Sequence, residues 1–196
     1  MVSAPHELLW ALIGLLLTIG GTFLEAHVTN LPWNWSQQGI QTQSLGVSYQ
    51  IGAVLLVGCM GGKNAGALSQ IAYLVLGLTP WFPVFYQGGG LAYLKEPSFG
   101  YLLGFVPGAW LCGFLAFKVP PRLESLAVSC ISGLLIVHMC GLTYLIATQF
   151  FTPSATKSLS LLQAVETYSF YPLPGQLVVV CAVTVLALAL RQLMFY

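Results

Sequence analysis

Ionic side chains are scarce in this chain. It has no aspartate, and its 196 residues include six Lys or Arg and five Glu, so charged residues make up 6% of the total. A soluble globular domain carries about 25% charged residues, and so few ionic groups cannot cover its surface. A soluble enzyme is therefore nearly excluded, and so is a disordered chain. The net charge of +1 supplies no basic field for nucleic acid.

Catalytic and redox motifs are missing as well. The chain has no H-E-x-x-H and no G-x-S-x-G, which are the signatures of zinc proteases and serine hydrolases. We therefore predict that it is not an enzyme and has no catalytic residue. The five cysteines form no C-x-x-C pair and lie in apolar runs, so we predict small membrane-buried side chains rather than metal ligands or disulfides. We expect no metal site and no cofactor.

Long apolar segments, in contrast, are abundant in this chain. Hydrophobic residues make up 57% of it and the mean hydropathy is +0.84, which is typical of a polytopic membrane protein. Crossing a bilayer takes roughly 20 mostly apolar residues in a helix. Six apolar runs predict transmembrane helices at residues 8–24, 46–62, 66–78, 99–117, 126–148 and 174–190. These helices use nearly the whole chain, so we predict one all-α membrane domain over residues 1–196.

The connections between these helices alternate in length, which predicts the orientation. Three long connections (25–45, 79–98 and 149–173) share one face, and two tight ones (63–65 and 118–125) share the other. The face of the tight connections carries Lys63, Lys118, Arg122 and Arg191, and the opposite face carries Lys95 and Lys157. The positive-inside rule then places the tight connections and both termini in the cytoplasm. We expect a multi-pass protein of the cell membrane.

Small residues and one histidine stand out within the helices. Gly58 and Gly62 are four residues apart, as are Gly104 and Gly108, and this spacing lets helix backbones approach closely. His138 lies in the middle of an apolar run. It either forms a hydrogen bond to a neighbouring helix or contacts a ligand. A proton-coupled carrier is disfavoured because the spans contain no chain of acidic residues and histidines.

The side chains suited to ligand binding collect at the ends of the long connections. Amides near apolar surface suit a small and mostly neutral ligand. Three consecutive glycines allow positive φ and leave backbone N–H groups open to a ligand, and the segment after them opens a helix at Pro97. The candidate substrate-binding residues are Gln50, Tyr86, Gln87, Gly88, Gly89, Gly90, Tyr101 and Gln176.

Three segments carry a resemblance to a known family. Residues 77–85 read G-L-T-P-W-F-P-V-F, residues 96–105 read E-P-S-F-G-Y-L-L-G-F, and residues 174–176 read P-G-Q. With them the chain resembles the BioY family, the biotin-specific S components of energy-coupling-factor (ECF) transporters. The resemblance implies a bundle of six transmembrane helices of the S-component type that holds biotin or a related small molecule near its outer ends. It also implies a subunit without chemistry of its own, whose partners are a transmembrane coupling subunit and two ATPases.

The chain departs from the family pattern at the start of the last helix. The family has an acid where this chain has Gln176, and a lysine where it has Val179. Gln176 can still donate to a ureido carbonyl or accept from a ureido N–H. The ligand carboxylate, however, loses its cationic partners, and an unpaired buried carboxylate is costly. Three explanations stay open: Lys95 or Lys157 folds over the site, backbone N–H groups and water at the glycines receive the carboxylate, or the ligand is not biotin.

The same departure motivates a second functional hypothesis. Loss of the ionic groups, with the glycines and aromatics retained, also fits a membrane protein of this fold that does not transport biotin. Such a protein would be an accessory or assembly subunit of a larger membrane complex, or would bind another small cofactor. Its stable partners discriminate the two hypotheses, since a transporter subunit associates with the coupling subunit and the ATPases.

Overall fold

The computed structural model describes residues 4–86, 88–151 and 160–194. Its helices are α1 (Ala4–Phe23), α2 (Trp35–Gln38), α3 (Gln50–Leu78), α4 (Phe99–Ala116), α5 (Leu123–Phe151), α6 (Leu161–Val165) and α7 (Leu173–Leu193). Strands β1 (Glu25–Thr29) and β2 (Thr42–Ser48) form an antiparallel hairpin between α1 and α3. Short 3-10 turns occur at Pro32–Asn34 and Leu91–Lys95, and α6 continues into a π-helical turn at Glu166–Phe170.

The long helices confirm the prediction of a membrane protein. Within the described ranges, five helical segments are long and apolar enough to cross a membrane: Pro5–Phe23, Gln50–Leu78, Phe99–Ala116, Leu123–Gln149 and Leu161–Leu193. Four of the predicted helices agree with α1, α4, α5 and α7 to within a few residues. The predicted second and third helices are both contained in α3, which is described next.

Helix α3 reverses its direction at Gly62. This residue has φ 80° and ψ −177°, a conformation that glycine adopts without the steric cost of a Cβ. A Cβ added to Gly66 would lie 3.3 Å from the Cα of Gly58, whereas eight residues of uninterrupted helix span about 12 Å. Residues 50–61 and 63–78 are therefore two arms that run back along each other. The predicted break is confirmed, but the predicted start at residue 46 is wrong because Gly46 belongs to β2.

Close helix packing at small residues is confirmed. A Cβ added to Gly58 would lie 2.9 Å from the carbonyl oxygen of Ala109, so α3 and α4 touch through their backbones. A Cβ added to Gly104 would lie 2.9 Å from the carbonyl oxygen of Val137, which brings α4 equally close to α5. The spacing of small residues thus holds α4 between α3 and α5.

Three of the cysteines meet where α3, α4 and α5 pack together. Cys59, Cys112 and Cys130 are fully buried. The Sγ atom of Cys59 lies 3.6 Å from that of Cys112 and 3.5 Å from that of Cys130. Their placement as small buried side chains agrees with the sequence prediction. Their convergence does not follow from the sequence, because they come from three different helices.

Candidate functional site

A cavity of about 580 Å³ opens at the end of the bundle that carries the long connections. Its inner wall is mostly apolar and includes the buried residues Ile51, Leu102, Phe105 and Val137. Its mouth is formed by the exposed residues Glu25, Tyr86 and Glu96. Gln50, Tyr101 and Gln176 line the cavity between the inner wall and the mouth, and each is half-buried. A volume of this size is typical of a site for a small organic ligand.

Gln176 projects from the first turn of α7. Pro174 stands near the start of this helix, where its fixed φ is already helical and its missing N–H is not needed. The Oε1 atom of Gln176 lies 2.8 Å from Nε2 of His138, which is 7% exposed on α5. An amide oxygen only accepts, so His138 donates through Nε2. This bond occupies the oxygen of Gln176 and leaves its NH₂ group as the donor toward the cavity.

The other ring nitrogen of His138 continues the hydrogen bonding. Its Nδ1 lies 3.2 Å from Oγ of Ser169, and that Oγ lies 2.6 Å from the phenolic oxygen of Tyr101. The Tyr101 and His138 rings also pack edge to face, 5.7 Å between centroids. In the neutral imidazole with its proton on Nε2, Nδ1 accepts from Ser169, whose oxygen accepts from Tyr101. We call this chain of hydrogen bonds the His138 relay. It consists of Gln176, His138, Ser169 and Tyr101, and both of its end residues line the cavity.

Gln50 is held in a different way at the start of α3. Its Nε2 donates to the phenolic oxygen of Tyr73 at 2.9 Å. Tyr73 is fully buried in the second arm of the same helix and donates to the carbonyl oxygen of Val84 at 3.0 Å. The reversal of α3 at Gly62 is what brings Gln50 and Tyr73 together. The bond to Tyr73 uses one N–H of the Gln50 amide and leaves Oε1 and the second N–H for other partners.

The glycine segment is tied to the end of α3. The N–H of Gly88 donates to the carbonyl oxygen of Phe85 at 3.1 Å, and the N–H of Gly90 donates to that of Gly77 at 2.8 Å. These two N–H groups are therefore not open to a ligand, contrary to the sequence prediction, because the segment folds back on its own backbone. Among the described residues, Gly88, Gly89 and Gly90 do not line the cavity. Ligand contact by these glycines stays a prediction.

Two carboxylates stand at the mouth of the cavity. Glu25 accepts a hydrogen bond from Oγ of Ser44 across the β-hairpin, and Glu96 lies in the connection that leads to α4. The part of the lining that the structure describes contains no Lys or Arg, and Lys95 is outside it although it precedes Glu96. Lys157, like Gln87, lies outside the described residues. The described mouth thus carries negative charge.

The structure joins four of the eight sequence-predicted residues in one cavity: Gln50, Tyr86, Tyr101 and Gln176. Sequence reasoning gave no role to Glu96, Ser169 or the hydroxyl of Tyr73. Tyr73 and Ser169 act through hydrogen bonds between distant segments, for which the sequence carries no local signal. The position of His138 in an apolar run was a signal, and its bond to α7 is one of the two outcomes expected for it.

Comparison with known protein families and sequences gives matches along the whole chain. The family described as the BioY family matches residues 7–195. A protein of Lysinibacillus sphaericus named probable biotin transporter BioY is 40% identical over 97 residues, which is 49% of this chain and 49% of that protein. The chain thus matches about half the length of that relative. An uncharacterized 21.2 kDa protein of Cyanophora paradoxa is 28% identical over 189 residues, 95% of both chains.

A solved structure shows the same fold. It is the crystal structure of the S-component for biotin from an ECF-type ABC transporter, and the TM-score is 0.67 at 19% sequence identity. The likeness covers 98% of this chain and 95% of the other. This result confirms the prediction of a helical membrane bundle of the S-component type.

Proposed function

Because this chain belongs to the BioY family, we propose that it is the substrate-binding membrane subunit of a vitamin uptake transporter and that it captures biotin. The whole chain acts as one domain that binds its ligand and performs no reaction. Energy for import comes from partner subunits, namely a transmembrane coupling subunit and two ATPases. The names of relatives support this proposal, since a protein of Lysinibacillus sphaericus is named probable biotin transporter BioY and one of Thermotoga maritima is named biotin transporter BioY.

The observation that carries the proposal is a pair of amides in one cavity that together offer donors and an acceptor. Gln176 offers N–H groups, and Gln50 offers a carbonyl oxygen beside its one remaining N–H. The ureido ring of biotin is neutral and has a carbonyl that accepts and N–H groups that donate. The NH₂ group of Gln176 binds the ureido carbonyl, and the Oε1 atom of Gln50 accepts from a ureido N–H. Phe105 and Val137 provide apolar surface for the rest of the bicycle.

The cavity faces the outside of the cell in this proposal. It lies at the end of the bundle with the long connections, and the opposite end carries the excess of cations. Lys63 stands at the reversal of α3, and Arg191 donates to the carbonyl oxygen of Ala116 at the end of α4, 2.8 Å away. The positive-inside rule supports a cytoplasmic position for that end and for both termini.

Ligand binding to the purified protein tests the proposal. Biotin-free protein in mild detergent is titrated with biotin by calorimetry, and we expect saturable binding with a sub-micromolar Kd. In Gln176→Leu we expect a Kd about tenfold higher, since a lost hydrogen bond leaves the ureido carbonyl unpaired. Gln192→Leu is the matched control, because Gln192 is an exposed residue near the other end of α7. Absence of biotin binding by the wild-type chain contradicts the proposal.

Partner capture tests the second half of the proposal. The chain is isolated in mild detergent from its own cells, and the proteins that accompany it are identified. Recovery of a transmembrane coupling subunit with ATPases supports a transport role. A stable complex of a different kind, without ATPases, contradicts that role and supports an accessory subunit.

A further inference from the structure

The orientation of the Gln50 amide is set, through Tyr73, by a backbone carbonyl group. The phenolic oxygen of Tyr73 lies 3.0 Å from the carbonyl oxygen of Val84. A carbonyl has no proton to give, so the one hydroxyl hydrogen of Tyr73 is committed to Val84. The phenolic oxygen therefore acts as an acceptor toward Gln50, and the Gln50 group within reach is Nε2 at 2.9 Å.

A second neighbour of the phenol leaves this assignment unchanged. The Oγ1 atom of Thr22 lies 3.2 Å from the phenolic oxygen of Tyr73. The hydroxyl hydrogen of Thr22 is committed to the carbonyl oxygen of Thr18 at 2.7 Å. Thr22 thus has no hydrogen left for Tyr73, and the donor to the phenolic oxygen is Gln50.

We propose that Tyr73 is a positioning residue that fixes Oε1 of Gln50 as a hydrogen-bond acceptor of the cavity. The site then favours a ligand with an N–H group in its ring, because a ring that only accepts leaves Oε1 of Gln50 unpaired. It binds cyclic ureas and lactams, which have an N–H beside a carbonyl, more tightly than such rings. This inference rests on the proposed function. It identifies a ring N–H as the part of the ligand that Gln50 recognises.

The energetic reason lies in the alternative orientation. If the Gln50 amide turned by 180°, its carbonyl oxygen would face the phenolic oxygen of Tyr73, and two acceptors would meet without a proton. An unpaired buried polar group costs about 1–3 kcal/mol. Removal of the hydroxyl group abolishes that penalty, so Gln50 then populates both orientations and no longer distinguishes a donor from an acceptor.

The test combines a change in the protein with a change in the ligand. Tyr73→Phe removes one oxygen and keeps the ring that packs edge to face against Phe85, 5.3 Å between centroids. The probes are biotin and its N,N′-dimethyl ureido derivative, which has no ureido N–H. Both are titrated by calorimetry into wild-type and variant protein. Because the two changes remove the same interaction, their effects on the Kd are not additive.

We expect the wild type to bind biotin at least about tenfold more tightly than the dimethyl probe, as a site built for an N–H does. In Tyr73→Phe the Kd for biotin rises about tenfold and the Kd for the probe changes less than about twofold, so the ratio of the two collapses. Tyr144→Phe is the matched control. It removes the hydroxyl of a half-buried ring, which donates to the carbonyl oxygen of Leu94 and touches neither amide of the cavity.

Each outcome supports or contradicts the inference. An unchanged ratio in Tyr73→Phe, whether both constants rise together or neither moves, overturns it while the proposed function stands. A wild type that binds no biotin contradicts the proposed function, and the inference falls with it. If Tyr73→Phe does not fold, Gln50→Leu makes the same comparison, because removal of the acceptor itself must collapse the same ratio.

Discussion

His138 on α5 and Gln176 on α7 are joined by a hydrogen bond of 2.8 Å between Nε2 and Oε1. The bond crosses between two helices and reaches from a buried ring to the wall of the cavity. It occupies the oxygen of the Gln176 amide, so the nitrogen is the atom that this residue offers to a ligand. The residue at this position is thus a neutral amide whose orientation depends on its neighbour.

We expect the Gln176 amide to lose its fixed orientation when His138 is replaced. In His138→Phe the amide is free to turn, so the Kd for biotin rises about tenfold. The preference for biotin over 2-iminobiotin, whose guanidine-type ring has no carbonyl to accept from Gln176, falls at the same time. Calorimetric titration with both ligands measures the two effects. His6→Phe, in the first turn of α1, is the control, and an unchanged preference in His138→Phe refutes this role for the histidine.

The carboxylate of Glu96 is expected to weaken the binding of an ionised ligand. Glu96→Gln removes negative charge from the mouth and lowers the Kd for biotin by about twofold to fivefold, the range of an exposed charge pair. The Kd for biotin methyl ester stays unchanged, and the effect on biotin shrinks as salt is added. Glu124→Gln, exposed in the first turn of α5, is the control. Equal effects on biotin and its ester would rule out an electrostatic origin.

Gly141 is expected to be intolerant of a methyl group because of Tyr101. A Cβ at residue 141 would lie 2.4 Å from a ring carbon of Tyr101, so in Gly141→Ala the ring must shift and its hydrogen bond to Ser169 is lost. Overpacking of this kind costs about 1–3 kcal/mol, and we expect a lower thermal midpoint together with weaker biotin binding. Gly20→Ala is the control, since a Cβ there meets nothing within 4 Å. Wild-type binding by Gly141→Ala would show that the relay tolerates displacement of Tyr101.

Arg191 is expected to stabilise the end of the bundle opposite the cavity. It is 4% exposed, and its guanidinium carbon lies 4.3 Å from the centre of the Phe117 ring. In Arg191→Lys the planar stacking and the fork of N–H donors are lost although the charge remains, so the thermal midpoint falls while the Kd for biotin is unchanged. Arg122→Lys, at an exposed position before α5, leaves the midpoint in place. A midpoint equal to that of the wild type would exclude this role for Arg191.

Helices were more accessible to sequence reasoning than strands in this chain. Apolar runs long enough to cross a bilayer are a strong signal, and α4, α5 and α7 follow them closely. The β-hairpin carries no such signal, because β2 is mostly exposed and shows no regular alternation of buried and exposed residues. Part of β2 was therefore assigned to the following helix, and the rest was assigned to a loop.

Sequence reasoning also identified only part of the candidate site. Gln50 and Gln176 were identified because amides are conspicuous beside apolar runs, and both line the cavity. The N–H groups of Gly88 and Gly90 were expected to be open to a ligand, but they bond to backbone atoms that the sequence cannot show to be near. Conformational freedom is a local property of glycine, but the partner of its N–H is not.

The sequence by itself determined that this chain crosses a membrane, that it does so with helices broken near residue 62, and that it resembles a family of S components. Composition and the length of apolar runs are enough for these conclusions, because the bilayer imposes its thickness on every span. Only the tertiary structure decided which way each amide of the cavity points. That direction depends on Tyr73 for Gln50 and on His138 for Gln176, and these are hydrogen bonds that exist only once distant segments are packed together.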